Sequence, residues 1–428
     1  MDVAVVGGGL AGLVAAVDLA RAGRSVTLFE RSGALGGRAR TNRVGGFHFN
    51  VGPHALYRDG TARRVLRALG VEARGAKPPT GGGFAIRGGV PRTLPAGPIS
   101  LLASGLVPLP AKLELARFLA GASAREAESL GRLTVAEWLE REASRPEARA
   151  FLAALVRVTT YANDPHRQGA AAALAQLQLG LGRGVLYLDG GWQSLVDGLH
   201  EAARRAGVRF ETGAPVRAVE HDEAARGVRL GDGTERHASA VVLAVGPADA
   251  AGLAPRSRAL GRWAEEAIPV RAACLDLALT GLPRPHARFA LGVDAPLYFS
   301  VHSDVARLAP EGGALLHVMR YLGSAVPADA EAVEAELEAL ADLLQPGWRP
   351  RVVHRRFVPN LVVSHGLHTP AGRPGPLVPD VTGLAVAGDW VGGEGMLADA
   401  AVASARLAAE EVGRGLGERR PSAERLSA

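Results

Sequence analysis

The stretch VAVVGGGLAGL, residues 3–13, decides how this chain is read. An apolar strand over Asp2–Val6 runs straight into Gly7-x-Gly9-x-x-Gly12, and a helix-spaced segment follows that ends before Gly23. Gly7 permits the tight strand-to-helix turn, Gly9 carries no Cβ to block a pyrophosphate, and Gly12 lets the helix lie close on the strand. Phosphates would then face a helix N-terminus, where free N–H groups and the helix dipole favour negative charge without any basic residue in the loop. A second strand over Ser25–Phe29 completes a βαβ beginning, and Glu30 closes it eighteen residues after Gly12, where a carboxylate can accept both ribose hydroxyls. The spacing defines a dinucleotide site, against the competing reading of a purely structural glycine turn. It leaves open whether NAD or FAD fills it.

Working outward, elements of the same kind recur far along the chain. A helix over Trp192–Ala206 carries Leu195, Val196, Leu199 and Ala203 at helical spacing, and strands follow near Val208–Glu211, Val216–His221 and Gly227–Leu230. The Asp232-Gly233 turn leads to a further strand at Ala240–Val245. The region from Ala272 to Tyr321 reads as strand-rich, Ala328–Leu344 as an acidic-faced helix and Arg351–Val358 as a strand, and a last strand at Leu384–Ala387 precedes a long Ala-rich helix. No period of about 20–50 residues recurs, which excludes a solenoid or propeller. The pattern predicts an α/β chain in which a discontinuous, Rossmann-like domain (residues 1–80, 185–250 and 370–428) is interleaved with a mixed α+β substrate domain (81–184, helical, and 251–369, strand-rich). The polar end from Glu418 reads as a frayed tail.

Composition narrows the classes. The 428 residues suffice for two or three units of about 150 residues, with 47% apolar and 21% charged side chains as in a folded globular protein. The formal charge of +6 rests almost wholly on Arg, since Lys77 and Lys112 are the only lysines, and the cations are spread among nearly as many carboxylates. No basic block marks a nucleic-acid partner. A single cysteine, Cys274, excludes an internal disulfide framework and any CxxC site and reads as core. With no basic n-region or small-residue cleavage site at the start, the expected setting is cytoplasmic. The uncharged stretch Thr93–Ala111 contains Pro95, Pro98, Pro108 and Pro110, which speaks against a transmembrane helix. It reads either as a surface segment that touches lipid or frames an apolar pocket, peripheral to a membrane, or as a buried loop and helix start.

The choice of cofactor comes from ERSGALGGRAR, residues 30–40, in which Gly36-Gly37-Arg38 follows the acidic strand end and Arg31 flanks it. This resembles the FAD-binding start of the flavin amine oxidase and phytoene desaturase superfamily. The resemblance makes Arg38 a phosphate partner, where an ordinary turn would leave it in solvent. Three more stretches are similar to that superfamily in the expected order. In FHFNVGPHALY (47–57), Gly52-Pro53-His54 looks like the segment that passes the flavin ring. In DGGWQSLVDGLHEAARRAGVRFETGAPVRAVE (189–220), Val216 would face the adenine through its backbone. In GLAVAGDWVGGEGMLADAAVASARLAAEEV (383–412), Gly388 and Asp389 would lie near the ribityl and phosphate groups. A helix beginning near Met396 and Leu397 would direct its positive end at the flavin N1 and C2 carbonyl, where negative charge gathers on reduction. Asp389 as an N-cap of this helix is the alternative. The resemblance implies noncovalent FAD, because no Cys accompanies the closing motif.

On substrate the resemblance divides. Flavin amine oxidases carry a lysine that holds a water near the flavin, and aromatic rings beside it, whereas this chain has no lysine after Lys112 and only 5% aromatics. The desaturase-like side uses an apolar cavity for polyisoprenoid substrates. The uncharged segments Thr93–Ala111 and Gln168–Gly182 suit such a lining and suit an ordinary core equally. His54 is the candidate polar group at the ring, as a base or to orient a double bond, unless it is a structural histidine. Tyr298, His302, His317, Arg320 and Tyr321 are pocket candidates from the strand-rich block, while His365 and His368 lack an acidic or Cys partner and read as loop residues; no metal is expected. The expected activity is hydride transfer from a carbon of a lipophilic substrate to FAD, with oxygen or a quinone as electron acceptor. An amine- or porphyrinogen-oxidising enzyme and a non-catalytic flavin-binding protein are the alternatives.

Overall fold

The computed structural model describes residues 1–79, 81–323 and 329–418. The strands expected at the start, middle and end of the chain join in one five-stranded sheet, in the order Arg209–Thr212, Val26–Glu30, Val3–Val6, Ala240–Leu243 and Leu384–Val386. Every neighbouring pair is parallel. Parallel strands cannot be joined by tight turns, and this is why the partners lie so far apart in sequence. Side chains alternate across the sheet. Val3, Val5, Leu28, Val242 and Ala385 pack on the helices Leu10–Arg21, Gln193–Arg205 and Leu397–Glu418. Ala4, Val6, Phe29, Val241, Leu243 and Val386 pack instead on Val219, Val228 and Leu230 of an antiparallel three-stranded sheet. The strands are therefore apolar on both faces, as buried parallel strands must be.

That smaller sheet holds one strand the sequence did not separate: Glu235–His237 pairs with Ala225–Leu230 across the Asp232-Gly233 turn before Ala240–Leu243 begins. The second large sheet has seven strands, in the order Val352–Ser364, Val270–Leu279, Ala314–Leu322, Leu297–Val301, Phe289–Gly292, Phe84–Arg87 and Val90–Thr93. Its last two strands come from the block read as helical, and Phe84–Arg87 pairs with Phe289–Gly292 in parallel. Sequence periodicity missed this hairpin because residues 84–93 are too short to show an alternating pattern. One face, with Leu275, Leu277, Leu316 and Val318, packs on the helix Ala330–Leu344. The other carries Ala272, Cys274, Met319 and Tyr321, turned toward Tyr161. The expected start of that helix at Ala328, and the polar end beyond Glu418, lie outside the described residues.

The glycine loop is held by contacts closer than any side chain would allow. A Cβ on Gly12 would stand 1.9 Å from the Gly7 carbonyl oxygen, and one on Gly7, whose φ is +107°, would stand 2.5 Å from Ala244 O. Replacing Gly12 with Ala must push the helix off the loop. The expected result is a loss of about 1–3 kcal/mol in stability, measured by chemical denaturation, together with a lower flavin content in the purified protein.

Candidate active site

A cavity of about 760 Å³ opens at the carboxyl ends of the five parallel strands. Its wall gathers Gly7, Gly9, Glu30, Arg31, Gly36, Gly37, Arg38, Pro53, His54, Val216, Gly388, Asp389 and Leu397, thirteen of the residues singled out from sequence as cofactor partners. Three others stand behind it. Gly12 lies under the loop, Gly52 is packed so that a Cβ would strike Leu361 Cδ2 at 2.7 Å, and buried Met396 directly precedes Leu397. The wall also includes Arg40, Tyr57, Trp192 and Asp399, which lie within the quoted motifs without having been singled out, and Tyr161, Met319 and Leu361, which lie outside them.

The residues present fit an adenine dinucleotide. A Cβ on Gly9 would meet only Gly36 O, at 4.0 Å, and would otherwise occupy the cavity. Glu30 Oε2 accepts the Gly8 N–H and Oε1 accepts the Ser32 N–H, each at 2.8 Å. A carboxylate offers about four acceptor positions, so lone pairs remain for two hydroxyls. Leu397, Ala398 and Asp399 bring the N-terminal turn of the closing helix to the wall. Leu397 has φ +55°, a left-handed conformation that costs a side-chain-bearing residue energy, at the point where the loop enters this helix.

Buried electrostatics tie the start of the chain to its end. Arg38 Nη1 donates to Asp389 Oδ2 at 2.7 Å and to Val363 O at 2.6 Å. Burial opposes ionisation of Asp389, but Arg38 outweighs it and holds the carboxyl below its ordinary value. Asp389 also accepts the His365 N–H and stands eight residues before the helix at Leu397, so it is not that helix's N-cap. Arg38 thus meets a carboxylate and a carbonyl as its immediate partners. Two residues that sequence reasoning missed fasten the closing loop. Arg373 donates to the carbonyls of Asp389, Gly392, Glu394 and Gly395, while Ser404 Oγ accepts the Gly388 N–H at 3.0 Å and donates to Gly388 O at 2.8 Å. Burial pushes Arg373 down to about 10, still charged at neutral pH. Neither residue has a sequence signal, because a carbonyl cluster is defined only once the loop is folded.

His54 donates from Nδ1 to Gly52 O at 3.0 Å and meets Trp192 edge-on at 5.0 Å. Burial pushes it down to about 4, so the ring is neutral at pH 7 between the backbone of Gly52 and that of Arg38. The structure places none of the five pocket candidates on the wall. Arg320 points to the opposite face of its strand and pairs with Glu336, because successive strand residues face opposite ways. Tyr321 and Tyr298 form a layer behind Tyr161, with ring centroids 6.1 Å and 6.3 Å apart along Tyr161–Tyr321–Tyr298. His302 stacks on Tyr187 at 3.7 Å. His317 Nδ1 meets Asp276 Oδ1 at 2.6 Å, and Arg356 covers the other oxygen of that carboxylate. Cys274 joins this group. With the guanidinium already seated on Asp276, the arrangement is an internal ion pair and not an open cation site. His365 lies on the wall and His368 beyond it, both in the irregular segment after Ser364. The uncharged segments Thr93–Ala111 and Gln168–Gly182 contribute nothing to the wall; Leu101, Leu106, Ala111, Ala173, Leu174 and Leu177 build the core of the helical block.

This fold and this cavity are those of a flavoprotein oxidoreductase. The chain matches the model of the flavin-containing amine oxidoreductases over residues 10–413 and belongs to that family, and its cofactor is FAD. It is 29% identical, over 274 residues, to a protein of Mycobacterium tuberculosis assigned as the flavin-containing monoamine oxidase AofH, covering 58% of this chain and 57% of that protein. It is 45% identical over 73 residues to carotenoid 3,4-desaturase of Haloarcula japonica, covering 17% and 15% of the two chains. The chain thus spans little more than half the length of the first of these relatives and a small part of the second. A solved oxidoreductase structure from Methanosarcina mazei superposes with a TM-score of 0.75 at 19% identity, over 96% of this chain and 99% of that one, a likeness of fold.

Asp399, in the first turn of the closing helix, is the wall's most perturbed carboxyl. Its Oδ1 accepts the Ala62 N–H at 2.7 Å, and Oδ2 is buried without a partner. Gly60 makes room for it, since a Cβ there would stand 2.4 Å from Oδ2. Burial raises this carboxyl from 3.8 to about 6. The folded chain therefore keeps the proton to higher pH than the unfolded chain. Stability is greatest below the ordinary carboxylate range, falls as pH rises through about 6, and is level above. Asp399→Asn should remove that slope and raise stability at pH 8 by about 2–3 kcal/mol, read from denaturation midpoints at pH 5 and pH 8. An unchanged difference between the two pH values would show that Asp399 ionises freely.

Proposed function

We infer that this protein is a FAD-dependent oxidoreductase that takes hydride from a carbon of a lipophilic, isoprenoid- or polyene-like substrate in a desaturase-type reaction, with oxygen or a quinone as electron acceptor. The observation that carries the reading is the wall on the His54 side of the cavity. Beside Trp192 and Arg38 it includes Val51, Pro53, Ala55, Leu56, Met319 and Leu361 with the phenols of Tyr57 and Tyr161. Those phenols already donate to Thr159 O and Pro53 O, so neither hydroxyl proton is spare. Both lysines lie elsewhere: Lys112 Nζ donates to Leu102 O, and Lys77 lies beside Gly184. An apolar chain needs only fitted apolar contact, about 25 cal/mol per Å² buried, whereas an ammonium needs a partner. The second reading, an amine- or porphyrinogen-oxidising enzyme, is favoured by the likeness to AofH.

Residues 1–80, 185–250 and 370–428 form the FAD-binding domain in this reading, and 81–184 with 251–369 the substrate domain. FAD, when bound, supplies the two-electron acceptor. The N–H groups of the Gly7–Gly12 loop and the dipole of helix Leu10–Arg21 hold the pyrophosphate, and Glu30 accepts the ribose hydroxyls. Val216 meets the adenine, and Gly388 with the Arg38–Asp389 pair closes the far side. The closing helix directs its positive end into the cavity. His54, neutral and on the wall, is the polar group that would orient the reacting carbon, and it would take a proton only transiently, since its basicity is low. No cysteine stands on the wall, so the cofactor is held without a covalent bond.

Glu30→Ala should weaken FAD binding by about 1.5–3 kcal/mol with the fold retained, because charge-assisted hydrogen bonds are lost. Flavin fluorescence titration of the apoprotein checks this, and acid precipitation should release all colour into the supernatant. Unchanged affinity in the folded variant would leave Glu30 as a cap of the loop alone.

Anaerobic bleaching of the bound flavin by a polyene or isoprenoid, and not by primary or polyamines, is the expected outcome of a substrate panel. Rapid bleaching by a simple amine reverses the ranking. His54→Ala should slow the bleaching by about tenfold or more while FAD stays bound; an unaffected rate returns His54 to a structural role.

A further inference from the structure

Two consecutive helices, Pro98–Ala103 and Leu109–Gly121, present an apolar surface left exposed among the described residues. Ile99 is 85% exposed, Leu109 60%, Leu113 55% and Leu102 49%, four of the ten large hydrophobic residues left exposed within a span of fifteen residues. Ile99 and Leu102 are three apart and Leu109 and Leu113 four apart, so each pair shares one helix face. The opposite face of the second helix is spent on the core through Ala111, Leu115 and Phe118. The two helices are fixed side by side, since Lys112 Nζ donates to Leu102 O at 2.7 Å.

Charge says what covers this face. From residue 73 to residue 113 the sequence contains no Asp or Glu and carries Arg74, Lys77, Arg87, Arg92 and Lys112. Arg87 pairs with Glu147, but among the described residues Arg92 and Lys112 meet no carboxylate. Arg92 is exposed beside Gly105, in the connection between the two helices. Arg117, exposed, extends the Leu109–Leu113 stripe by one more turn. Leucine and isoleucine at the centre with cations at the rim is the composition of a surface that dips into the headgroup region of an anionic bilayer. The nearest carboxylate in sequence, Glu114, is engaged by the Arg145 N–H, and the face carries none of the aromatic anchors that enrich protein interfaces.

We propose that the Ile99–Leu102–Leu109–Leu113 face, rimmed by Arg92, Lys112 and Arg117, is a docking surface for anionic lipid bilayers, which seats the enzyme on the membrane without crossing it. No helix among the described residues is long and apolar enough to span a bilayer. The inference goes beyond the substrate reading and does not depend on it, because docking needs no turnover.

The test is co-sedimentation of the purified, FAD-loaded protein with vesicles of phosphatidylcholine alone or of phosphatidylcholine with phosphatidylglycerol. Wild-type protein should pellet with the phosphatidylglycerol vesicles and release with salt. The triple variant Ile99→Ser, Leu109→Ser, Leu113→Ser should bind them about tenfold more weakly, and Arg92→Glu with Lys112→Glu should lose the preference for phosphatidylglycerol. None of these side chains touches the cavity wall, so an unchanged flavin spectrum certifies the fold. Wild-type protein that stays in the supernatant with both vesicles overturns the proposal, as does equal binding by the triple variant. Concentration-dependent self-association by light scattering, abolished in the triple variant, would assign the face to a second copy of the chain and overturn it as well.

Discussion

Parallel pairing in one five-stranded sheet is the constraint on which the rest of the molecule depends. Because all five strands run the same way, their carboxyl ends meet on one edge: Gly7 after Val6, Glu30, the turn before Val216, Val245 after Leu243, and Gly388 after Val386. Every one of these ends touches the same cavity. Since parallel strands need long crossovers, the chain between them is free to build a second body. It does so twice, as a helical block and as a seven-stranded sheet. The discontinuity of the fold and the position of the site are two consequences of one hydrogen-bonding geometry.

The cavity is closed by interactions between residues hundreds of positions apart. Arg38 and Asp389 form a pair in which the carboxylate is 2% exposed. Removing Arg38 would leave the buried Asp389 carboxylate without its counter-charge, whereas Arg38 itself keeps contact with water. Arg373 satisfies four carbonyls of the closing loop that have no helix or sheet to pair with. Asp399 is the opposite case, a carboxyl whose burial is only half compensated by the Ala62 N–H and whose proton is held accordingly. The wall thus combines a fixed ion pair, a pinned loop and one titratable group.

Beneath the wall, the strand-rich block spends its polar residues internally. All five tyrosines of the chain are buried, and His317, Asp276 and Arg356 form a closed charge pair under Cys274. What reaches the cavity from the strands of this block is Met319, Leu361, Val362 and Val363, with His365 just beyond the last strand. These strands therefore show the cavity mainly apolar side chains although they are rich in Tyr and His.

The glycine loop, its strand and helix, and Glu30 were legible from residues alone, because each depends on contacts a few positions away: a missing Cβ, a strand period, a helix start. The Gly36-Gly37-Arg38 turn and the closing motif were legible only through their resemblance to a known family, and the burial of Cys274 from its place in an apolar strand. The tertiary structure decided the rest. That Phe84–Arg87 joins the sheet of Phe289–Gly292, that Arg320 turns away while Met319 turns inward, and that Arg38 takes Asp389 as its partner all depend on strand register and on pairings across 206, 45 and 351 positions. Sequence carries the local preference of each residue. Only the folded chain fixes which face it shows, since a one-residue change of register reverses every side chain on a strand.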